Sequence, residues 1–182
     1  MTAPVDLAQD YFSLFGLEPG PEVDRAALDA RYRALQSQLH PDRFASAGAQ
    51  ERRLSVQSAG FVNEAYETLK DPLRRLKYLL ELRGVHLDAD KDTTSDPAFL
   101  MQQMELRERL EEAGQGDDPL AELDALAREL RDWQRALQKE FAEAWASNDL
   151  DAAREAALKL QFFRRVNDEL QRKQEQIEEQ LL

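Results

Sequence analysis

Proline at position 41, placed directly after a run of helical periodicity, constrains this chain more than any other residue. From Asp24 the apolar residues Leu28, Tyr32, Leu35 and Leu39 recur at spacings of four, three and four. At about 100° per residue they share a stripe roughly 60° wide, and Asp24 is a suitable N-cap for the helix they define. Proline disfavours helical geometry in the residue before it, so that helix must stop at His40. Asp42 then opens a short connection through Ala45, Gly48 and Ala49. A second amphipathic helix follows from about Gln50, with Leu54, Ser58, Phe61, Ala65 and Leu69 on one face, and ends before Asp71-Pro72. Two long amphipathic helices joined by a brief loop pack antiparallel, which displays His40-Pro41-Asp42 at the turn.

The hairpin has short neighbours. Asp10-Tyr-Phe-Ser-Leu-Phe-Gly16 reads as one or two helical turns closed by glycine and followed by Pro19-Gly20-Pro21, and Leu73 to Leu82 gives another short helix. Gly84 to Pro97, rich in Asp and Thr, reads as a linker. Three helical stretches come next: Pro97 to about Ala113, Asp118 to about Ser147, and Asp149 onward, separated by Gly114-Gln-Gly-Asp-Asp-Pro119 and Ser147-Asn-Asp149. In the second, Leu123, Leu126, Leu130, Trp133, Leu137, Phe141 and Trp145 form a core stripe; in the third, Leu160, Phe163, Val166, Leu170, Ile177 and Leu181 do. No Val/Ile/Thr-rich alternating run argues for a sheet. The expected fold is all-α: a hairpin with short flanking helices over 1–83, a linker over 84–96 and a three-helix bundle over 97–182.

Charge and composition narrow the function. Residues 1–80 carry 10 basic and 11 acidic side chains, whereas 81–182 carry 14 basic and 25 acidic. A second half this acidic repels phosphate backbones and anionic lipid, so neither nucleic acid nor a membrane surface is the expected partner; a basic protein surface is. With no cysteine and only two histidines, thiolate chemistry, cluster ligation and a histidine-rich metal site are not expected. No apolar run approaches the roughly 20 residues that span a bilayer, and the N-terminus lacks the order of a signal peptide, which points to the cytoplasm.

Two constellations stand out. In the helix from Pro97, Phe99, Leu106 and Leu110 share one face, with Gln103 and Ala113 nearby. Leu100, Met101 and Met104 fall on roughly the opposite side, alongside Glu105, Glu108 and Glu112. A three-helix bundle buries one such stripe, not both. The surplus stripe is a candidate partner site, and methionine suits it because a flexible thioether adapts to an incoming surface. The alternative is that it packs on the hairpin or on a second copy of the chain. Phe162 shows a similar mismatch, pointing to the edge of its own core face or simply widening it.

The other constellation is His40-Pro41-Asp42. A surface histidine at a helix C-terminus would suit the helix dipole without further function. Catalysis is not expected, because no nucleophile with an oxyanion-hole motif accompanies the pair. The hairpin context favours a recognition loop, and the stretch from Asp10 to Leu82 resembles a J-domain. More narrowly, Asp10-Tyr-Phe-Ser-Leu-Phe-Gly-Leu17, His40-Pro-Asp-Arg-Phe-Ala-Ser46, Tyr78-Leu-Leu80, Phe99-Leu-Met101 and Glu105-Leu-Arg107 resemble the HscB family, co-chaperones of iron-sulfur cluster assembly. The resemblance spans essentially the whole chain.

It implies a non-enzymatic co-chaperone without a cofactor, whose J-domain stimulates the ATPase of the DnaK-class chaperone HscA and whose C-terminal domain presents the cluster scaffold IscU. It assigns chaperone signalling to His40, Pro41 and Asp42, with Arg33 and Arg43 as basic partners. Scaffold binding is assigned to Leu100, Met101, Met104, Glu105, Glu108, Glu112 and Phe162. Ala34, where some J-domains place a basic residue, and Leu39, where many have tyrosine, depart from the pattern. The rival expectation is an acidic helical adaptor, dimeric through Met101 and Met104, or a general J-protein with another client.

Overall fold

The computed structural model describes residues 5–44, 47–87, 94, 96–113 and 115–181. Ala45 of the expected connection, most of the expected linker (88–93 and 95), Gly114, and the side chains of Pro41 and Leu181 lie outside the described residues. The helices are α1 (Tyr11–Phe15), α2 (Arg25–Leu39), a 3-10 helix (Pro41–Phe44), α3 (Ala49–Lys70), α4 (Pro72–Leu82), α5 (Pro97–Ala113), α6 (Pro119–Ala146) and α7 (Leu150–Leu181). The chain is all-α, an antiparallel helical hairpin with short flanking helices followed by a three-helix bundle, and it divides into two compact units at residue 82. Among the described residues, no helix is long and apolar enough to cross a membrane.

Aspartate starts nearly every helix. Asp10, Asp24, Asp71, Asp96, Asp118 and Asp149 each accept a hydrogen bond from a backbone N–H in the first turn that follows, satisfying donors that have no partner within the helix. Helix α3 is the exception: its N-cap is Gly48, which has no side chain to offer. The turns are equally local. Gly16 closes α1 at φ 64°, a conformation that needs no Cβ accommodation, and Asn148 takes φ 58° so that α6 can reverse into α7.

In the first unit, α2 and α3 form the hairpin, with α1 and α4 against its base. Phe12, Phe15, Leu28, Val62, Ala65, Leu69, Leu76, Leu79 and Leu80 are the core. Tyr78 holds α1 to α4: its ring stacks on Tyr11 at 4.4 Å, and its hydroxyl accepts from the Tyr11 N–H at 3.0 Å. Arg75 reaches inward to donate to the carbonyls of Pro21 and Leu69 at 2.8 and 2.6 Å. Burial pushes its guanidinium below the ordinary arginine value, and those carbonyls supply the hydrogen bonds that a desolvated cation requires.

The buried stripe of α3 differs from the expected one at its start. Leu54 is exposed, and the positions facing inward are Ser55, Ser58, Val62, Ala65 and Leu69, an unbroken 3-4-3-4 step. A small residue faces α2 here because its hydroxyl bonds the backbone of that helix, which turns Leu54, one position earlier, about 100° away. Phe61 is half-buried and meets Tyr11 edge-on at 5.5 Å. Along α2 only Leu28 is fully buried; Tyr32, Leu35 and Leu39 are half-buried.

The second unit is built on the long pair α6 and α7, with α5 laid alongside. Ala153, Ala156 and Ala157 are buried in α7, where small side chains let α6 approach. Three polar clamps tie α5 down: Arg109 pairs with Glu129 through two hydrogen bonds of 2.9 and 3.0 Å, Lys159 donates to Asp96 at 2.8 Å, and Lys173 donates to the carbonyls of Leu110 and Glu111 at the end of α5. Asp96 therefore caps α5 and pairs with α7, and Thr94 just before it is buried and hydrogen-bonded to Glu155. The expected core stripes extend too far. Trp133, Trp145 and Ile177 are half-buried rather than core. Helices of 28 and 32 residues run about 42 and 48 Å, whereas the 17 residues of α5 cover only about 26 Å, so Trp145 and Ile177 near the far ends have fewer neighbours, while Trp133, in mid-helix, lines an open groove with Phe99 and Phe163.

Candidate functional site

At the hairpin tip, α2 ends because His40 adopts φ −57°, ψ 133°, as a residue preceding proline must. The turn is tightened by the Arg43 N–H donating to the His40 carbonyl at 3.0 Å. His40 and Asp42 are both well exposed, with His40 Nδ1 3.5 Å from an Asp42 carboxylate oxygen. The Asp42 N–H points at the same Nδ1, 3.3 Å away. A neutral imidazole accepts from that N–H and leaves Nε2–H free to donate outward; a protonated one would instead pair with the carboxylate. Either way the loop holds one donor ring and one acceptor carboxylate close together in solvent.

The basic residues beside the loop play different parts. Arg33 lines a groove of about 390 Å³ between α2 and α3, together with Gln36, Ser37, Leu39, His40, Ala59 and Val62. Arg43 turns back onto α2: its guanidinium donates to the Ser37 carbonyl at 3.4 Å. That carbonyl is the one whose helical partner would be the N–H of residue 41, which proline lacks. Near this tip, Leu54 and Val56 of α3 are exposed apolar residues. Neither was read from the sequence as surface, and a 3-4-3-4 count started from Ser55 would have put both there.

On α5 the two stripes separate as their spacing implies. Phe99, Leu106, Leu110 and Ala113 are buried, while Leu100, Met101 and Met104 are 43%, 73% and 67% exposed, with Glu105, Glu108 and Glu112 also in solvent. Phe162 is half-buried and stands edge-on to both Phe99 and Phe163, at 5.5 and 5.6 Å. It therefore meets α5 at the residue before Leu100, at the N-terminal end of the methionine face. Glu112 sits farthest from it, about three and a half turns along the helix from Phe99.

A helical hairpin presenting His-Pro-Asp at its tip, joined to a separate helical bundle, defines the class: this is a J-protein fold. The family follows from comparison with known proteins. The model of the HSCB C-terminal oligomerisation domain matches residues 95–171. The co-chaperone protein HscB homolog of Burkholderia thailandensis is 47% identical over 174 residues, covering 96% of this chain and 99% of that protein. The chaperone HscB from Vibrio cholerae superposes with a TM-score of 0.83 at 41% identity, over 96% of this chain and 100% of that one. Human co-chaperone HscB gives 0.86 at 32% identity, over 92% and 83%. The chain belongs to the HscB co-chaperone family.

Proposed function

We propose that this chain binds the iron-sulfur scaffold IscU, delivers it to the DnaK-class chaperone HscA and stimulates the ATPase of HscA. The carrying observation is that the molecule leaves two unlike surfaces open, one on each unit: a polar His40-Asp42 tip and an apolar, acid-edged face on α5.

In this reading residues 1–83 are the signalling J-domain, 84–96 the linker and 97–182 the scaffold-binding domain. His40, Pro41 and Asp42 signal to the chaperone, and Arg33 and Arg43 supply positive charge toward an acidic surface of that partner. Leu100, Met101, Met104 and Phe162 form the apolar centre of the scaffold site, and Glu105, Glu108 and Glu112 its acidic edge, suited to a basic scaffold surface. The chain performs no chemistry itself and acts in the cytoplasm: it couples client binding in one domain to nucleotide hydrolysis in a partner. With no cysteine, any cluster in the complex is held by the scaffold.

The deciding experiment measures HscA ATPase with this protein alone, with IscU alone and with both. Stimulation by the protein, raised further by IscU, is expected. Absence of stimulation together with a dimer that dissociates on dilution would favour the acidic adaptor instead.

A further inference from the structure

We propose that Ser55 is a positioning residue for the His40-Pro41-Asp42 loop: from α3 it holds the last carbonyl of α2 and so fixes where the loop departs. This rests on the reading of that loop as the chaperone signal.

The argument starts from hydrogen bonds the end of α2 cannot make. In a continuing helix the Leu39 carbonyl would accept from the N–H of residue 43. Here that N–H is committed to the His40 carbonyl at 3.0 Å, so Leu39 is left without a helical partner. Ser55 lies sixteen residues away and is buried, and its Oγ donates to the Leu39 carbonyl at 3.2 Å. A helical serine ordinarily has a local carbonyl within reach one turn back; this one bonds across the hairpin.

The consequence is mechanical. Leu39 is the residue directly before His40, and its carbonyl is part of the peptide that carries the His40 N–H. Fixing that oxygen fixes the plane from which the loop's first residue projects. The Ser55 hydroxyl thus ties α3 directly to the backbone from which the loop departs. Arg43 supports the same end from within the loop, by donating to Ser37 at 3.4 Å. The groove beneath the tip is lined by Leu39 and His40, so a shift in the Leu39 peptide would displace both from their places in it.

The test uses S55A, S55T and S55V in the full chain, with H40Q as the control for the loop itself. Thr and Val have the same shape and differ only in the hydroxyl. Maximal stimulation of the DnaK-class ATPase should fall roughly threefold or more in S55A and S55V, the scale of one neutral hydrogen bond, and be retained in S55T. The concentration giving half-maximal stimulation should stay put, because Ser55 is buried and touches no partner. Amide resonances of Asp42 and Arg43 should move in S55A and S55V and hold in S55T. Wild-type stimulation by S55A, equal losses in S55T and S55V, a change confined to half-saturation, or unmoved loop resonances would each overturn the proposal. If H40Q stimulates as well as wild type, the signalling role of the loop fails instead, and the resonances still decide whether Ser55 fixes its geometry.

Discussion

The tip of the hairpin and the outer face of α5 are both exposed, yet they are made by opposite means. At the tip, proline removes a helical donor, the chain turns, and two of the carbonyls left behind, those of Ser37 and Leu39, accept from Arg43 and Ser55. The result is a polar loop whose geometry is set before any partner arrives. On α5 the side chains of Met101 and Met104 stand largely in solvent, because the bundle has already filled its core with Phe99, Leu106 and Leu110. A group that must align donor and acceptor atoms is best pre-organised, whereas a face that closes over another protein gains from adaptability.

The largest expected effect breaks the comparison at the tip. His40→Gln or Asp42→Asn should abolish ATPase stimulation while leaving the thermal melt and scaffold binding unchanged, since both side chains stand in solvent and take no part in the core. Wild-type stimulation by either variant would show that the chaperone reads something else.

The next effect tests adaptability on α5. Apolar centres usually carry most of the energy of an interface, so Met104→Ala should weaken scaffold binding by about 1–2 kcal/mol with no change in melting temperature. Phe162→Ala should weaken it similarly and also lower the melting temperature, because its ring packs edge-on to Phe99 and Phe163. Calorimetric titration alongside a melt separates the two. Should Met104→Ala cost stability and leave affinity intact, the stripe is structural.

These two regions were unequally legible in the sequence. The position of the loop followed from Pro41, because proline acts on its neighbours through covalent geometry, and an aspartate stands before every α-helix but α3, which begins after Gly48. The two faces of α5 followed from spacing. What was missed depends on distances between elements. Hydrophobicity put Leu54 inside and gave no reason to prefer Ser55, whose burial comes from a carbonyl on a different helix. Likewise Trp133, Trp145 and Ile177 keep the core period but lie where neighbouring helices leave them half-covered, and periodicity carries no information about where a neighbour stops.

A smaller effect sharpens the contrast in charge. Arg33→Ala should weaken chaperone binding and flatten its salt dependence, as expected of a screened surface charge. Arg43→Ala should do so and lower maximal stimulation as well, because its guanidinium also supports the end of α2. Single Glu→Gln changes at Glu105, Glu108 and Glu112 should slow scaffold association more than they speed its release. Identical salt behaviour of the two arginine variants, with no difference in maximal stimulation, would return Arg43 to a purely electrostatic part.

The smallest effect concerns what holds the α5 face in place. The hydrogen-bonded Arg109 guanidinium keeps the Glu129 carboxyl below the ordinary glutamate value, and Lys159 does the same for Asp96. A carboxyl whose pKa is lower in the folded state stabilises the fold above its unfolded value, about 4.3 for glutamate, and loses that contribution as pH falls through the lower folded value. The Arg109–Glu129 pair is well exposed, so screening limits it to a few tenths of a kcal/mol. Glu129→Gln should therefore lower the urea midpoint slightly at pH 7, and the gap from wild type should close as pH is taken below the glutamate range. Scaffold affinity should follow the same small change, since the pair anchors the helix that carries the face, while ATPase stimulation in the absence of scaffold should not respond. A gap that persists unchanged in acid would mean that shape or solvation at position 129, rather than its charge, joins α5 to α6.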